Sequence, residues 1–468
     1  LHLLDRLLAS PHFGERWGRH WLDAAGYVDV TGTDNDAGII RQGENKWKYR
    51  DYVVRALNDD KPFDRFLLEQ LAGDELVDWR TASHFTPEIQ ELLVATGFMR
   101  TAADDTDENE LNTMDIRYGV LHRTIEVVAG NLLGLTLGCA KCHDHKYEPI
   151  TQRDYYRFQA LFQPAFNPQQ WLQPKERQLA EIPLAQKAAF EKENATVRQQ
   201  IESLKKRKDE IAKAAAAADT KARLAECDQQ TRALERQLKS WGHVQAVYDV
   251  GAPTPTHLLR RGQHDRPGAE VPPGFLSALS LPAVEGKFLA APGAGKTSGR
   301  RLALARWLTD APTAANNLVL RVRVNRVWQH LFGKGLVATS ENLGVTGAKP
   351  SHPELLDWLA DEFRGNGQRL KPLLKLLMSS TAYRQASRVD ETRSAAARKI
   401  DPDNDLLWRM RLRRLESEII RDAVLTASGK LDRTVGGAPI PVESRPDGTF
   451  VVKEQGLPTP SSPWRRSL

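Results

Sequence analysis

The sequence predicts a mainly α-helical protein, with two helical domains joined by an antiparallel helical hairpin and a Pro/Gly-rich segment with a few short strands. Three observations carry this. Apolar residues recur at helical spacing through residues 1–165 and again across 298–468. Two apolar stripes occupy 176–241, the first with spacings of seven, four, three and seven and the second alternating three and four. Across 244–297 the helical period gives way to proline and glycine.

Within the first block, Ser10-Pro11 reads as an N-cap with proline at the first helical position, opening a helix from His12 to Tyr27. A second helical pattern spans Tyr49 to Leu57, and Lys61-Pro62 restarts a third through Phe66, Leu67 and Leu71. Asp104, Asp105, Asp107, Glu108 and Glu110 form an acidic run. It lacks the glycine and ligand spacing of a calcium loop, so a solvated loop is expected.

The hairpin's first stripe is Phe190, Val197, Ile201, Leu204 and Ile211, interrupted by Asn194 and Lys208. Its second is Leu224, Cys227, Thr231, Leu234, Leu238 and Trp241, after the alanine run 214–218 and Asp219-Thr220. Cys227 on that stripe reads as a small buried hydrophobe. Alternation of Val244, Ala246, Tyr248 and Val250 predicts a strand. Helices follow from Arg300 to Leu308, ending at Asp310-Ala311-Pro312, and over about 317–332, 351–364, 370–379 and 406–427. The last mixes Arg409, Arg411, Arg413, Arg414 and Arg421 with Glu416, Glu418 and Asp422, which suits a salt-bridged face better than a phosphate-binding stripe.

Composition narrows the function. The chain has 468 residues, 66 Lys and Arg against 60 Asp and Glu, so its net charge of +6 implies no nucleic-acid partner. The longest uncharged stretch, Phe158 to Pro174, contains three prolines, so no membrane span is expected. Residue 1 is Leu and no signal-like segment follows, which makes a fragment of a larger protein the expectation. No P-loop, nucleophile elbow, HExxH or dinucleotide fingerprint is present.

Three cysteines exclude a disulfide scaffold, but two of them lie in Cys139-Ala-Lys-Cys142-His143, the attachment pattern of haem c. Two thiols add to the two vinyl groups of one macrocycle, and the next residue, His143, becomes the proximal iron ligand. Three other readings stay open. Zinc could be held by Cys139, Cys142, His143 and His145, although four ligands within seven residues strain a tetrahedral shell. A dithiol redox pair would want a βαβ context, and a local disulfide would be merely structural. His145, Lys146 and Arg153 are candidates to contact haem propionates. Distal-ligand candidates are His122, Met114, Met99, His20 and His12, with His122 leading if Gly134 and Gly138 break the helix and fold it back. His330 and His352 read as packing and capping positions.

Residues Leu7 to Asp29, Tyr49 to Leu76 and Gly134 to Phe162 (GLTLGCAKCHDHKYEPITQRDYYRFQALF) resemble the planctomycete-type cytochrome c domain of unknown function. Arg301 to Asp310, Val324 to Phe363 and Leu376 to Ser387 resemble the planctomycete-specific C-terminal domain that follows it. One departure is Gly26, where that family more often carries Arg. The resemblance implies a haem-bearing, redox or electron-transfer-associated module of a large exported protein, with an extracytoplasmic address and an upstream cytochrome c module or other redox partner. Two other classes stand beside it: an extracytoplasmic enzyme with a structural metal at the Cys/His cluster, and a structural scaffold that assembles through the hairpin.

Overall fold

The computed structural model describes residues 2–31, 41–107, 109–213, 220–290, 293–310, 313–445, 447, 449–453 and 455–466. Glu108, the alanine run 214–218 with Asp219, and Ala311-Pro312 lie outside the described residues.

Helix α1 (His2–Leu8) leads into α2 (Phe13–Ala25), which starts later than Ser10-Pro11 suggests. Those two residues form a turn instead: the Phe13 amide donates to the Ser10 carbonyl at 3.0 Å and the His12 amide to Ser10 Oγ at 3.2 Å. Helix α2 ends at Gly26 in the left-handed region (φ 74°). An arginine there would meet a steric cost that glycine avoids. A two-residue ribbon, β1 (Val30–Thr31) with β2 (Arg41–Gln42), precedes α3 (Trp47–Asn58) and α4 (Phe63–Ala72). Helices α5 (Pro87–Ala95), α6 (Met114–Val128) and α7 (Gln152–Phe162) complete this part. The acidic run is not a solvated loop throughout. Asp104 is buried, paired with Arg100 at 2.9 Å, and accepts from the Thr106 amide and hydroxyl. Asp105 pairs with Arg123.

Strand β3 (Gln178–Ala180) leads into the hairpin, α8 (Leu184–Lys213) and α9 (Thr220–Glu235), and β4 (His243–Gln245) closes it by pairing antiparallel with β3. Ile201, Ile211 and Cys227 are buried in the seam, as the stripes predict. The two interruptions are used rather than tolerated. Asn194 is buried and holds both the Lys239 amide and its carbonyl at 2.8 Å, while Lys208 pairs with Asp228 across the seam. The expected strand over 244–250 stops at Gln245, because the next amides bond elsewhere: Val247 to Thr96 Oγ1 and Val250 to the Pro164 carbonyl.

The connector supplies an antiparallel hairpin, β5 (Thr256–Leu259) with β6 (Pro267–Val271), and α10 (Pro282–Leu289). Then come α11 (Arg300–Thr309), α12 (Ala314–Phe332), α13 (Pro353–Gly365), α14 (Leu370–Ser379), α15 (Glu391–Ile400) and α16 (Ser417–Ala427), with the ribbon β7 (Val442–Ser444) and β8 (Phe450–Val452). His352 takes the N-cap position of α13. The helix predicted over 406–427 exists only from Ser417. Asp401 accepts the Asp405 and Leu406 amides, Asn404 and Leu407 adopt positive φ, and Arg409, Arg411 and Arg413 lie in irregular, non-helical chain. Side-chain acceptors here out-compete helical bonds.

One apolar core runs from Phe13 in α2 to Leu377 in α14, so both helical blocks and the connector are packed together. At its centre Arg301 is fully buried, with both Nη atoms on Asp74 at 2.7 Å and Asp249 at 3.0 Å from Nη2. Glu75, 3.3 Å from the same guanidinium, also caps the Leu302 amide. Among the described residues no helix is long and apolar enough to cross a membrane.

Candidate functional site: the Cys-X-X-Cys-His turn

Helix α6 widens into one π turn (Ala129–Leu133) and stops at Gly134, whose φ is 59°. Glycine is required twice over. The backbone is left-handed, and a Cβ would stand 3.0 Å from Val322 of α12 and from Leu343. A straight helix would carry His143 about 30 Å from His122 at 1.5 Å per residue. The break instead turns the chain back on α6: the Leu137 amide donates to Glu126 at 3.1 Å, and a Cβ on Gly138 would lie 3.9 Å from His122 Cε1.

Gly138–Lys141 then form a 3₁₀ turn with Ala140 as its buried foot. The Ala140 amide bonds the Leu137 carbonyl, and the amides of Cys142 and His143 both approach the Cys139 carbonyl, at 3.2 and 3.4 Å. From α7, Tyr156 Oη donates to the Lys141 carbonyl at 2.9 Å and Gln152 Nε2 donates to it at 3.1 Å. The Gln152 amide also donates to Asp144. These bonds work because a Thr151–Asp154 capping box fixes the start of α7.

On this base the reactive side chains point outward. Cys139, Cys142 and His143 are exposed, and both thiols are free. Cys142 Sγ donates to the Arg261 carbonyl at 3.4 Å, in the tip of the β5–β6 hairpin, where Arg261 (φ 52°) and Gly262 (φ 70°) are left-handed. A Cβ on Gly262 would approach that sulfur to 3.1 Å.

The histidines differ in tautomer. His143 Nδ1 faces the Asp144 carbonyl at 2.7 Å; a carbonyl only accepts, so Nδ1 carries a proton, and in the neutral ring the lone pair is on Nε2. His145 is the reverse. Its Nδ1 accepts the Tyr147 and Glu148 amides at 3.2 and 2.9 Å, leaving an Nε2–H donor. Lys146 lies over the Tyr147 ring at 5.2 Å, and Arg153 is exposed.

Of the distal-ligand candidates, His122 adjoins the motif turn. Its Nδ1 is 2.9 Å from the hydroxyl of Tyr155, and burial with the nearby Lys141 and Arg123 cations brings its pKa down to about 4, so the ring is neutral at neutral pH. The others have different employment. Met99 is buried in the core, Met114 Sδ faces Arg117, and His12 pairs with Glu15. His20 stacks on His330 at 3.6 Å, joining α2 to α12 beside Trp17. Among the described residues no three His, Cys, Asp or Glu side chains converge as a metal site.

Sequence reading alone missed Gln152, Glu126 and the Arg261 carbonyl. It also passed over His264, which shares the hairpin tip, stacks on Tyr118 and pairs with Asp115 at 3.1 Å.

The fold is thus a helical body that presents a Cys-X-X-Cys-His turn. Residues 1–166 match PSCyt2, a protein of unknown function (DUF1549), and residues 300–468 match PSD1, a protein of unknown function (DUF1553). In that order the two matches correspond to the planctomycete-type cytochrome c domain and the C-terminal domain that follows it. No curated protein and no solved structure matches it.

Proposed function

We propose that Cys139 and Cys142 carry haem c covalently, with His143 as proximal ligand, and that the protein is a redox or electron-transfer-associated module. One observation supports this above the rest: two free, exposed thiols stand on a backbone immobilised from beneath, next to an imidazole whose Nδ1 is engaged by the Asp144 carbonyl, which leaves Nε2 as the ligating nitrogen. That donor set is what haem attachment and iron ligation need. Bound there, haem would supply a one-electron centre.

The chain's own residues would serve it in distinct ways. Gln152 and Tyr156 hold the Lys141 carbonyl and so fix the separation of the two sulfurs. The Asp144 carbonyl orients His143, as second-shell acceptors commonly do for ligating histidines. His145, with its Nε2–H, and Lys146 are donors for propionates. His122 is the proposed distal ligand. The reading carries an extracytoplasmic address and a redox partner or upstream cytochrome c module with it. Zinc held by the same cluster is the rival outcome.

The test is production of the chain alongside the c-type maturation machinery, followed by a visible spectrum and metal analysis. A Soret band that survives denaturation is expected; bound zinc without haem would overturn the proposal. Electron paramagnetic resonance of the oxidised protein then addresses His122. A low-spin signal that turns high-spin in His122→Ala is expected, and a high-spin parent unchanged by the substitution would remove His122 from the iron.

A further inference from the structure

The tip of the β5–β6 hairpin lies against the motif turn and brings charge with it. Across residues 138–149 and 260–266 the cations are Lys141, Lys146, Arg260, Arg261 and Arg266. Lys141 is half-buried and the other four are exposed. Two exposed carboxylates, Asp144 and Asp265, stand against them; Glu148 is buried and accepts the Val345 amide at 2.7 Å. Among the described residues the one ion pair made by either stretch is His264 with Asp115. The five cations are left without a paired carboxylate.

Contacts join the two stretches into one face. A Cβ on Gly262 would lie 3.1 Å from Lys141 Cε, the same distance as from Cys142 Sγ. Gln152 Nε2 donates to the carbonyls of Lys141 and Leu259, at 3.1 and 3.0 Å, and so fixes the root of the tip to the turn. Arg261 itself stands at φ 52°, where a side chain with a Cβ is disfavoured and glycine or asparagine is the usual occupant. Strain of that kind collects at functional positions. On the turn, Tyr147 leaves 57% of its surface uncovered, with Lys146 Nζ 5.2 Å from its ring. Exposed tyrosine and arginine are residue types that protein interfaces favour.

We propose that this face docks the acidic surface of a protein and that this protein is the redox partner, the latter resting on the redox reading of the motif. Exposed cations keep their water until contact, and their summed field orients an acidic partner during approach. Cys142 lies inside the face, so the motif would sit at the point of closest approach. The cations occupy two separate elements, one of them carrying the exposed tyrosine, instead of running as one stripe. That suits clustered carboxylates better than the regular phosphates of a nucleic acid.

The test measures binding of an acidic plant-type ferredoxin, used as the probe, to the whole chain at low ionic strength, made with and without c-type maturation. Saturable binding is expected. Its affinity should fall about tenfold in Arg260→Glu with Arg266→Glu, and stay unchanged in a control on exposed positions of α8, Lys205→Glu with Lys206→Glu. Carbodiimide cross-linking of the parent to the probe, followed by peptide mapping, should join Lys141 or Lys146. It needs no variant, so it decides if the tip variant fails to fold. No binding, equal losses in both double variants, or cross-links confined to other lysines would overturn the proposal. So would a duplex oligonucleotide that binds tighter than the ferredoxin and loses as much in the tip variant. Haem content is read separately from the visible spectrum. A haem-free chain that binds the probe keeps the docking face and rejects only the redox reading, whereas a haem-bearing chain that does not bind rejects the face.

Discussion

The chain holds its cysteines in two opposite ways. In the motif turn the thiols are exposed and the backbone is fixed by residues from α6, α7 and the β5–β6 tip. In the hairpin Cys227 is buried in a thin seam, while most of α8 and α9 faces solvent. The first arrangement offers reactive sulfur at a defined position. The second uses sulfur as a small apolar filler. Rigidity therefore comes from the body beneath the motif.

The largest effect is expected at Arg301, which ties α11 to Asp74, Glu75 and Asp249 inside the shared core. Removing one member of a buried ionic cluster costs about 3–5 kcal/mol, because the partners stay buried and unpaired. Arg301→Ala should lower body stability by that amount in chemical denaturation and leave the hairpin's own contacts untouched. A loss below about 1 kcal/mol would mean that the cluster does not hold the body together.

Acid should act on the body next. Burial and the facing His330 bring the pKa of His20 down to about 3, and burial with Arg323 brings His330 to about 4. Both folded values lie below the unfolded value near 6.5, so the unfolded chain binds more protons between them. Stability is full above pH 6.5 and falls as pH drops towards 4. His20→Gln should shrink the loss between pH 7 and pH 5, measured by denaturation midpoints; an unchanged loss would place the acid sensitivity elsewhere.

A smaller change is expected beneath the motif. Tyr156→Phe removes the hydroxyl that holds the Lys141 carbonyl, for about 1 kcal/mol. Hydrogen exchange at the amides of Cys142 and His143 should rise while α12 stays protected; unchanged exchange would show that Gln152 alone suffices. Smallest for the body is loss of the arm. Deleting 184–235 with a short linker, and keeping the β3–β4 ribbon, should leave the rest folded. Global loss of circular dichroism would show the arm to be part of the core.

Much of the helical layout was legible because amphipathic stripes and glycine or proline punctuation are local signals. Gly134 turned the chain back on α6, and Cys227 lay buried on its stripe. What escaped depends on residues distant in sequence. Nothing local to 406–416 says that Asp401 will capture the Asp405 and Leu406 amides and that this stretch will stay out of the helix. Likewise Arg261 meets Cys142 across 119 residues, and Arg301 meets Asp74 across 227. Asn194 and Lys208 read as defects in a stripe, yet Asn194 finds its partner in the loop after α9 and Lys208 on α9 itself. The motif's residue types were visible in the sequence; the tautomers of His143 and His145 were not, since each is set by a folded backbone partner.

The most direct measurement is the intact mass, under denaturing conditions, of three proteins made with the c-type maturation machinery: the parent, Cys139→Ala with Cys142→Ala, and Cys227→Ala. One covalently bound haem is expected on the parent and on Cys227→Ala, and none on the double variant. A parent without haem, or a haem lost from a folded Cys227→Ala, would contradict this expectation.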